Sequence, residues 1–387
     1  MRNWREVDYR KIGFGLNSYY NGHGYKWIPY NKGGEYRRWY GNYEYVVNWE
    51  NDGAEIKDYA VIRNNGKHWS RYIQNLDCLY KEGITWSIIT SSTFSMRYLP
   101  EGFICDYAGC AVFPEKKDLY YLLGLFNTKI AANILKMINP TVNYQPGNIG
   151  SMPYLFDSEY ENVINNLVTQ NIELSKIDWD NFEASWEFSK HPFLKYPRVL
   201  INEEEVYNSR LNEIFRLWKD ECTKRFNVVK NNEEKLNKIY IDIYKLTNEL
   251  IPDIDDKEIT VRRADLKREI KSFISFAVGC MFGRYSLDIE GVAYAGGPWE
   301  DSKYEKFIPD KDNCIPITDE EYFTDDIGGR FVDFVKCVYG SETLDENLDF
   351  IANALGNKGN TSREIIRNYF VKAFYKDHVK TYQKRPI

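Results

Sequence analysis

The stretch Tyr30-Asn-Lys-Gly-Gly-Glu-Tyr-Arg-Arg-Trp-Tyr-Gly-Asn42 brings together the residue types that bind anions and flat rings. Lys32, Arg37 and Arg38 carry charges that neutralise phosphate oxygens. Trp39 and Tyr40 offer faces for stacking. Gly33 and Gly34 let backbone amides approach a phosphate closely. The same composition also describes a solvated loop whose aromatics turn into the core, and the sequence leaves both readings open.

Three other motifs look catalytic and fail on chemistry. Asn139-Pro140-Thr141-Val142 shares its first two letters with the Asn-Pro-Pro-Tyr motif of amino-methyltransferases. That chemistry needs the second proline and an aromatic to stack on a flipped base, and both are missing, so a helix stop is the expectation. Gly13-Phe14-Gly15 has no apolar strand before it, as a cofactor loop requires. Pro252-Asp253 with Asp265-Leu266-Lys267 has the letters of a metal-dependent nuclease. Its carboxylates would have to share a metal from adjacent strands, yet Asp265 and Lys267 open an amphipathic helical pattern. No Ser/His/Asp or Cys/His set is suggested by spacing. Seven cysteines are scattered without CxxC spacing, and four histidines lie far apart. The expectation is no catalytic residue, no metal site, no disulfide framework, and a reducing cytoplasm.

The elements that must position the basic stretch read as follows. Residues 15–45 are a loop by composition. Strand-like runs follow at Tyr45–Trp49, Thr85–Ile89, Phe94–Leu99 and Gly102–Cys105. Asp118 is placed to cap a helix running to Ile138, and Asn139-Pro140 stops it. Helical periodicity then dominates, over Ser158–Ser175, Glu203–Phe226, Asn232–Leu250 and Ala264–Met281. Capping boxes at Thr318/Glu321 and Thr361/Glu364 predict two more helices, to about Val338 and Tyr375. The fold class is α+β, a mixed α/β module followed by a mainly helical one. The predicted domains are 1–155, 156–300 as a helical support, and 301–387 as a helical segment packed on it.

The chain of 387 residues is 43% hydrophobic and 28% charged, as in soluble globular proteins, which excludes disorder as the main state. No apolar run approaches the ~18 residues of a membrane span. The start, Met1-Arg-Asn-Trp-Arg5, does not read as a secretory signal. Residues 1–155 hold 18 Lys and Arg against 14 Asp and Glu, a net of +4, and 29 of the aromatics; the remainder holds 33 against 43, a net of −10. A basic, aromatic front and an acidic back point to different jobs.

At Asp118-Leu-Tyr-Tyr-Leu-Leu-Gly-Leu-Phe-Asn-Thr-Lys-Ile130 and Ile138-Asn-Pro-Thr-Val-Asn-Tyr-Gln-Pro-Gly-Asn-Ile-Gly-Ser-Met-Pro-Tyr154 the chain resembles a known family. The pattern is similar to the target-recognition region of PglX (also called BrxX), the adenine-specific DNA methyltransferases of bacterial BREX phage-defence systems. The resemblance extends through Trp39–Gly53, Gly83–Ser87, Ile270–Leu287, Gly359–Phe370 and Tyr382–Ile387, and so spans essentially the whole sequence. The S-adenosylmethionine loop and the Asn-Pro-Pro-Tyr motif of the family's N-terminal half do not occur here. The resemblance therefore implies a C-terminal part: sequence-specific recognition of double-stranded DNA, with no methyl transfer by this chain alone. It implies no cofactor in this chain, S-adenosylmethionine belonging to the absent catalytic half. The implied partners are that half and other BREX proteins, with no membrane.

Under that reading Lys32, Arg37, Arg38, Trp39 and Tyr40 hold the DNA backbone. Base readers are expected in the loops Ser91–Arg97 and Asn143–Asn148, with Arg97, Asn143, Gln145 and Asn148 as candidates. Asn143–Asn148 reads equally well as a structural turn on Pro146-Gly147. The alternative function is a protein-interaction subunit that docks on other defence components without touching DNA. An independent nuclease is the remaining reading.

Overall fold

The computed structural model describes residues 1–17, 24–90, 93–196, 198–201, 204–207, 209–356 and 359–384. Ser91 and Ser92 of one expected reading loop, residues 18–23 and the closing residues 385–387 lie outside the described residues. The architecture is α+β, with small sheets in the N-terminal part and helices thereafter. Two compact units form: Met1–Trp179 with Arg225–Arg262, and Asp180–Lys224 with Arg263–Ile387.

In the first unit, β1 (Arg2–Asn3), β2 (Trp27–Asn31) and β3 (Tyr45–Asn48) build a sheet with β6 (Ile104–Cys105), in the order β1-β3-β2-β6. The β2–β3 pair is antiparallel, with Ile28 opposite Val47 and Tyr30 opposite Tyr45, and β6 joins β2 in parallel. Helix α1 (Glu50–Arg63) follows β3. A second sheet, β5-β4-β7, is antiparallel and formed by β4 (Gly83–Ser87), β5 (Arg97–Leu99) and β7 (Gly109–Val112). The buried Asn31 side chain joins the sheets: its amide donates to Thr85 Oγ1 at 2.6 Å and to Gly109 O at 2.9 Å. A Cβ at Gly109 would lie 2.5 Å from Asn31 O, so only glycine permits this approach.

Several expected boundaries move, each for a physical reason. The 15–45 loop contains β2, a strand disguised by Pro29. Its partner β6 reaches only Tyr30 and Asn31, so Pro29 is paired on one side alone. The expected strands at 85–89, 94–99 and 102–105 shift or shorten to β4, β5 and β6. The helix predicted from Asp118 to Ile138 is two, α2 (Lys116–Phe126) and α3 (Lys129–Ile138). Asn127 breaks it, because its side chain pairs with both Met96 N and Met96 O, at 2.9 and 3.0 Å. Thr128 then caps α3. Asn139 ends α3, as the stop signal predicts, and the short α4 (Pro146–Gly150) follows. The helix expected at 158–175 is α5 (Glu161–Asp180).

The two helices expected at 203–226 and 232–250 are one, α6 (Leu211–Ile243). Asn232 does not interrupt it; it is buried and its amide donates to Asn171 Oδ1 and Gln170 Oε1. In the second unit a hairpin of β8 (Arg198–Ile201) and β9 (Glu204–Tyr207) precedes α6. Helix α7 (Leu266–Met281) starts at Asp265, whose carboxylate caps Arg268 N, and buries Phe273, Ile274, Phe276 and Ala277. Around it lie α8 (Ile327–Tyr339), α9 (Leu344–Leu355), α10 (Ser362–Tyr369), a π turn (Phe370–Phe374) and α11 (Tyr375–Thr381). Thr361 caps α10 by accepting from Glu364 N, but the reciprocal half of the box does not form, because the Glu364 carboxylate accepts from Asn360 N instead. The Thr318/Glu321 helix does not form: α8 begins only at Ile327, because the buried Asp326 caps Gly329 N and binds Arg367 at 2.7 Å.

His191 lies in this second core among Phe193, Phe273 and Phe276. Its Nδ1 accepts from Phe193 N, and burial pushes its pKa down to about 3. The folded state therefore holds it neutral while the unfolded chain protonates near the ordinary value of about 6.5. The stability tied to this neutral ring is complete above that value and is lost as pH falls from it toward 3. Asn at 191 keeps an acceptor for the Phe193 amide and does not titrate. Between pH 7.5 and 5, urea unfolding of the wild type should lose about 2 kcal/mol more than His191→Asn. Equal pH slopes for the two proteins would refute this.

Candidate functional site

The basic stretch leaves β2 and crosses the first unit in an irregular path. Gly33 takes φ +79 and Gly34 φ +159, and a Cβ on Gly33 would lie 2.7 Å from Ala108 O. The Gly34 amide is engaged, donating to Ser87 Oγ at 2.9 Å. The glycines here serve the close approach of two chain segments. Lys32 is half-buried, its ammonium 5.0 Å from the Tyr45 ring centre.

Arg38 and Trp39 are inside the protein, at 4% and 0% exposure. Both bind one carboxylate: Arg38 Nη1 pairs with Glu233 Oε2, and Trp39 Nε1 donates to Glu233 Oε1 at 2.7 Å. Burial works against both charges. It raises Glu233; for Arg38 burial is the largest single influence and lowers it, yet Glu233, Tyr36 and Glu258 together hold it above its ordinary range. Arg38 Nη2 also reaches Glu258 at 3.4 Å, and Tyr36 OH donates to Glu258 O. Trp39 sits at φ +69, a conformation that costs a non-glycine residue about 1–3 kcal/mol and survives only where surroundings dictate it. The surroundings are its indole bond to Glu233 and a backbone bridge to β5, with Trp39 N donating to Met96 O and Tyr98 N to Trp39 O. Tyr40 is buried, edge-on to Tyr43, with the Lys176 ammonium 5.5 Å from its ring.

Arg37 is the partly open member of the stretch, at 17% side-chain exposure. Its guanidinium lies 4.9 Å from the Trp179 ring and 3.8 Å from Asp178 Oδ2. Gly41 makes room for it: at φ +119 a Cβ there would lie 2.5 Å from Arg37 Cδ. Burial, then the Arg262 charge, brings the Arg37 pKa down to about 10.

Of the expected base readers, Arg97 is buried at 1%, while the other three share a surface loop. Asn143 is exposed and pairs across an isolated bridge with Ile89. Gln145 Nε2 donates to Asn143 Oδ1 at 3.0 Å, and Tyr107 OH donates to Gln145 Oε1. Asn148 turns inward to the loop, its Oδ1 accepting from Gln145 N at 2.8 Å. Exposed Ile89 and Tyr107, at 64% and 72%, flank this group. Asn139 is bound into the same loop, its Nδ2 donating to Asn143 O and its Oδ1 accepting from Thr141. The residues that organise the site and that the motif search missed are Glu233, Asp178, Trp179 and Arg262. They lie about 140–225 positions from the basic stretch, on segments that read as charged helix or loop.

No family model matches the chain. Two curated relatives do. The adenine-specific methyltransferase PglX of Lacticaseibacillus casei (strain Zhang) is 42% identical over 392 residues, covering all of this chain and 32% of that protein. The whole of this chain thus aligns with a part of PglX. The adenine-specific methyltransferase BrxX of Escherichia coli O9:H4 (strain HS) is 36% identical over 425 residues, again covering the whole chain and 32% of the relative. The chain thus spans about a third of the length of the PglX and BrxX proteins that it matches.

The Arg38–Glu233 pair generates a stability prediction for the first unit. Arg38→Met or Glu233→Gln alone leaves a buried partner uncompensated and should cost about 3–5 kcal/mol. The double replacement Arg38→Met/Glu233→Gln should cost much less than the two single changes added, in a double-mutant cycle by chemical denaturation. Additive losses would show that the pair is not coupled.

Proposed function

We propose that the chain recognises double-stranded DNA as the C-terminal part of a PglX-type adenine-specific methyltransferase of a BREX phage-defence system. The observation that carries this reading is the end-to-end identity of 42% and 36% with two adenine-specific methyltransferases. An enzyme that modifies adenine inside a duplex must flip its base, so sequence choice comes from contacts to neighbouring pairs. Asn143 and Gln145, on an exposed loop with apolar Ile89 and Tyr107 beside them, match the chemistry of adenine edges and thymine methyls. Lys32 and Arg37 hold phosphates. Arg38, Trp39 and Tyr40 act from beneath, by fixing the segments that carry the outer residues, and Asn148 shapes the reading loop. Methyl transfer belongs to a catalytic half that binds S-adenosylmethionine, and that half and other BREX proteins are the protein partners.

A second reading, docking on another defence protein without DNA, is favoured by one feature of the second unit. The segment 308–323 exposes Ile308, Ile317, Tyr322 and Phe323. Pull-down of defence-system proteins that persists in Lys32→Ala and Arg37→Ala variants, with no duplex binding by the wild type, would select it. Among the described residues no helix is long and apolar enough to cross a membrane.

Titration with duplex DNA at low and moderate salt tests the DNA reading. Lys32→Ala should weaken binding to all sequences alike and flatten the log–log salt dependence by about one unit. Asn143→Ala or Gln145→Ala should cost about 1–3 kcal/mol on the recognised sequence only and leave that slope unchanged. No binding even at low salt would overturn the DNA reading.

A further inference from the structure

Arg97 poses a problem that neither sheet pairing nor packing resolves. It is on β5 at 1% exposure, and its Nε and Nη2 have no hydrogen-bond partner. No ion pair forms at its guanidinium among the described residues, and burial lowers its pKa. Buried guanidinium groups are otherwise matched by a carboxylate or another anion, because an isolated charge loses its hydration without recompense. A buried donor left unsatisfied calls for an explanation, and an ion held at it is one.

A second arginine lies close by. Trp39 pairs with Arg97 across a parallel bridge, and Arg37 stands two residues before Trp39. The charge of Arg97 is among those that depress Arg37, after burial and the Arg262 charge. The nearby carboxylate, Asp178, is committed elsewhere. Its Oδ1 accepts from Arg262 N and its Oδ2 from Arg262 Nε, both at 3.0 Å, while Arg37 Nη1 stays 3.8 Å away. Glu35 also attracts Arg37, from an exposed position. Arg37 itself is held in place by the Trp179 face on one side and by the missing Cβ of Gly41 on the other.

We propose that Arg37 and Arg97 form an oxyanion site that takes a phosphate-class anion, with Arg97 as its buried floor and the half-buried Arg37 as its rim. Guanidinium groups suit this ligand, because each presents planar, paired N–H donors that match two oxygens of a phosphate. Arg97 supplies unsatisfied donors, and Arg37 supplies the side open to solvent. The anion comes either from a nucleic-acid phosphodiester or from free phosphate. Only the first source rests on the DNA reading given above.

The test uses the full chain and inorganic phosphate. Thermal unfolding is followed in phosphate and in sodium chloride of matched ionic strength, for the wild type, Arg97→Met and Arg37→Gln. A bound anion stabilises the folded state by mass action, so the wild-type Tm should climb with phosphate and saturate. Phosphate also stabilises proteins by exclusion from their surfaces, and the variants share that effect, so the difference between wild type and variant is the readout. Arg97→Met should melt at or above the wild-type Tm in chloride, since it removes an unmatched buried charge, and should lose the saturating response. Arg37→Gln should bind phosphate weaker by on the order of tenfold or more, read by calorimetry. A wild type that responds no more than Arg97→Met overturns the site. So does an Arg97→Met protein destabilised equally in both salts, which would make Arg97 a structural residue. In a second arm phosphate competes against a short duplex: displacement assigns the anion to a DNA phosphate, and independent binding assigns it to a free anion. The phosphate arm stands even where the duplex does not bind, so the two readings fail separately.

Discussion

The basic stretch of the first unit is pinned by a buried carboxylate. Glu233 lies on α6 and accepts one contact from the Arg38 guanidinium and one from the Trp39 indole. A carboxylate out of water is tolerated only when charge and hydrogen bonds replace its hydration. Two adjacent residues of one irregular segment meet that demand together. This pins the segment to a helix almost two hundred positions later and stabilises the left-handed backbone of Trp39. The rest of the basic stretch takes its course from there: Arg37 is turned toward Asp178 and Trp179, and Gly41 leaves the space it needs.

The same length of α6 satisfies other parts of the first unit through a series of polar side chains. Asn232 binds Asn171, Asn237 accepts from Lys129 N and donates to Pro252 O, and Tyr240 and Tyr244 donate to Tyr121 O and Pro153 O. The Asn171 amide and the Tyr121 carbonyl among these would otherwise be buried without these partners. Polar residues in this part of the helix therefore specify which segments dock, while the apolar ones supply the burial. Charged and amide residues that look like a solvated helix face serve here as interior contacts.

The comparison with PglX and BrxX covers every part of the chain and about a third of each relative. Charge divides along the sequence, with a basic front and an acidic back. The first unit thus carries a surface group of amides and apolar side chains, at Asn143, Gln145, Tyr107 and Ile89, and an interior group of guanidinium charge, at Arg37 and Arg97.

Local signals in the sequence were sufficient where the physics is local. The stop at Asn139-Pro140, the helix start at Asp265 and the Thr361 cap all depend on residues within a turn of one another, and the structure has each of them. The likeness to PglX was legible for a different reason, since it rests on many short segments read together. Tertiary contacts decided the rest. Asn127 split a helix whose periodicity runs on unbroken, because Met96 offers it two backbone partners. Asp326 displaced the start predicted at Thr318, because only Asp326 meets Arg367 as well as the helix end. Arg38, Trp39 and Arg97 have the composition of a binding surface and lie inside, since burial is set by residues far along the chain that no spacing rule connects. Charge and aromaticity are properties of the sequence, but which side of the surface they occupy is a property of the fold, because a distant carboxylate can repay the lost hydration of a buried arginine.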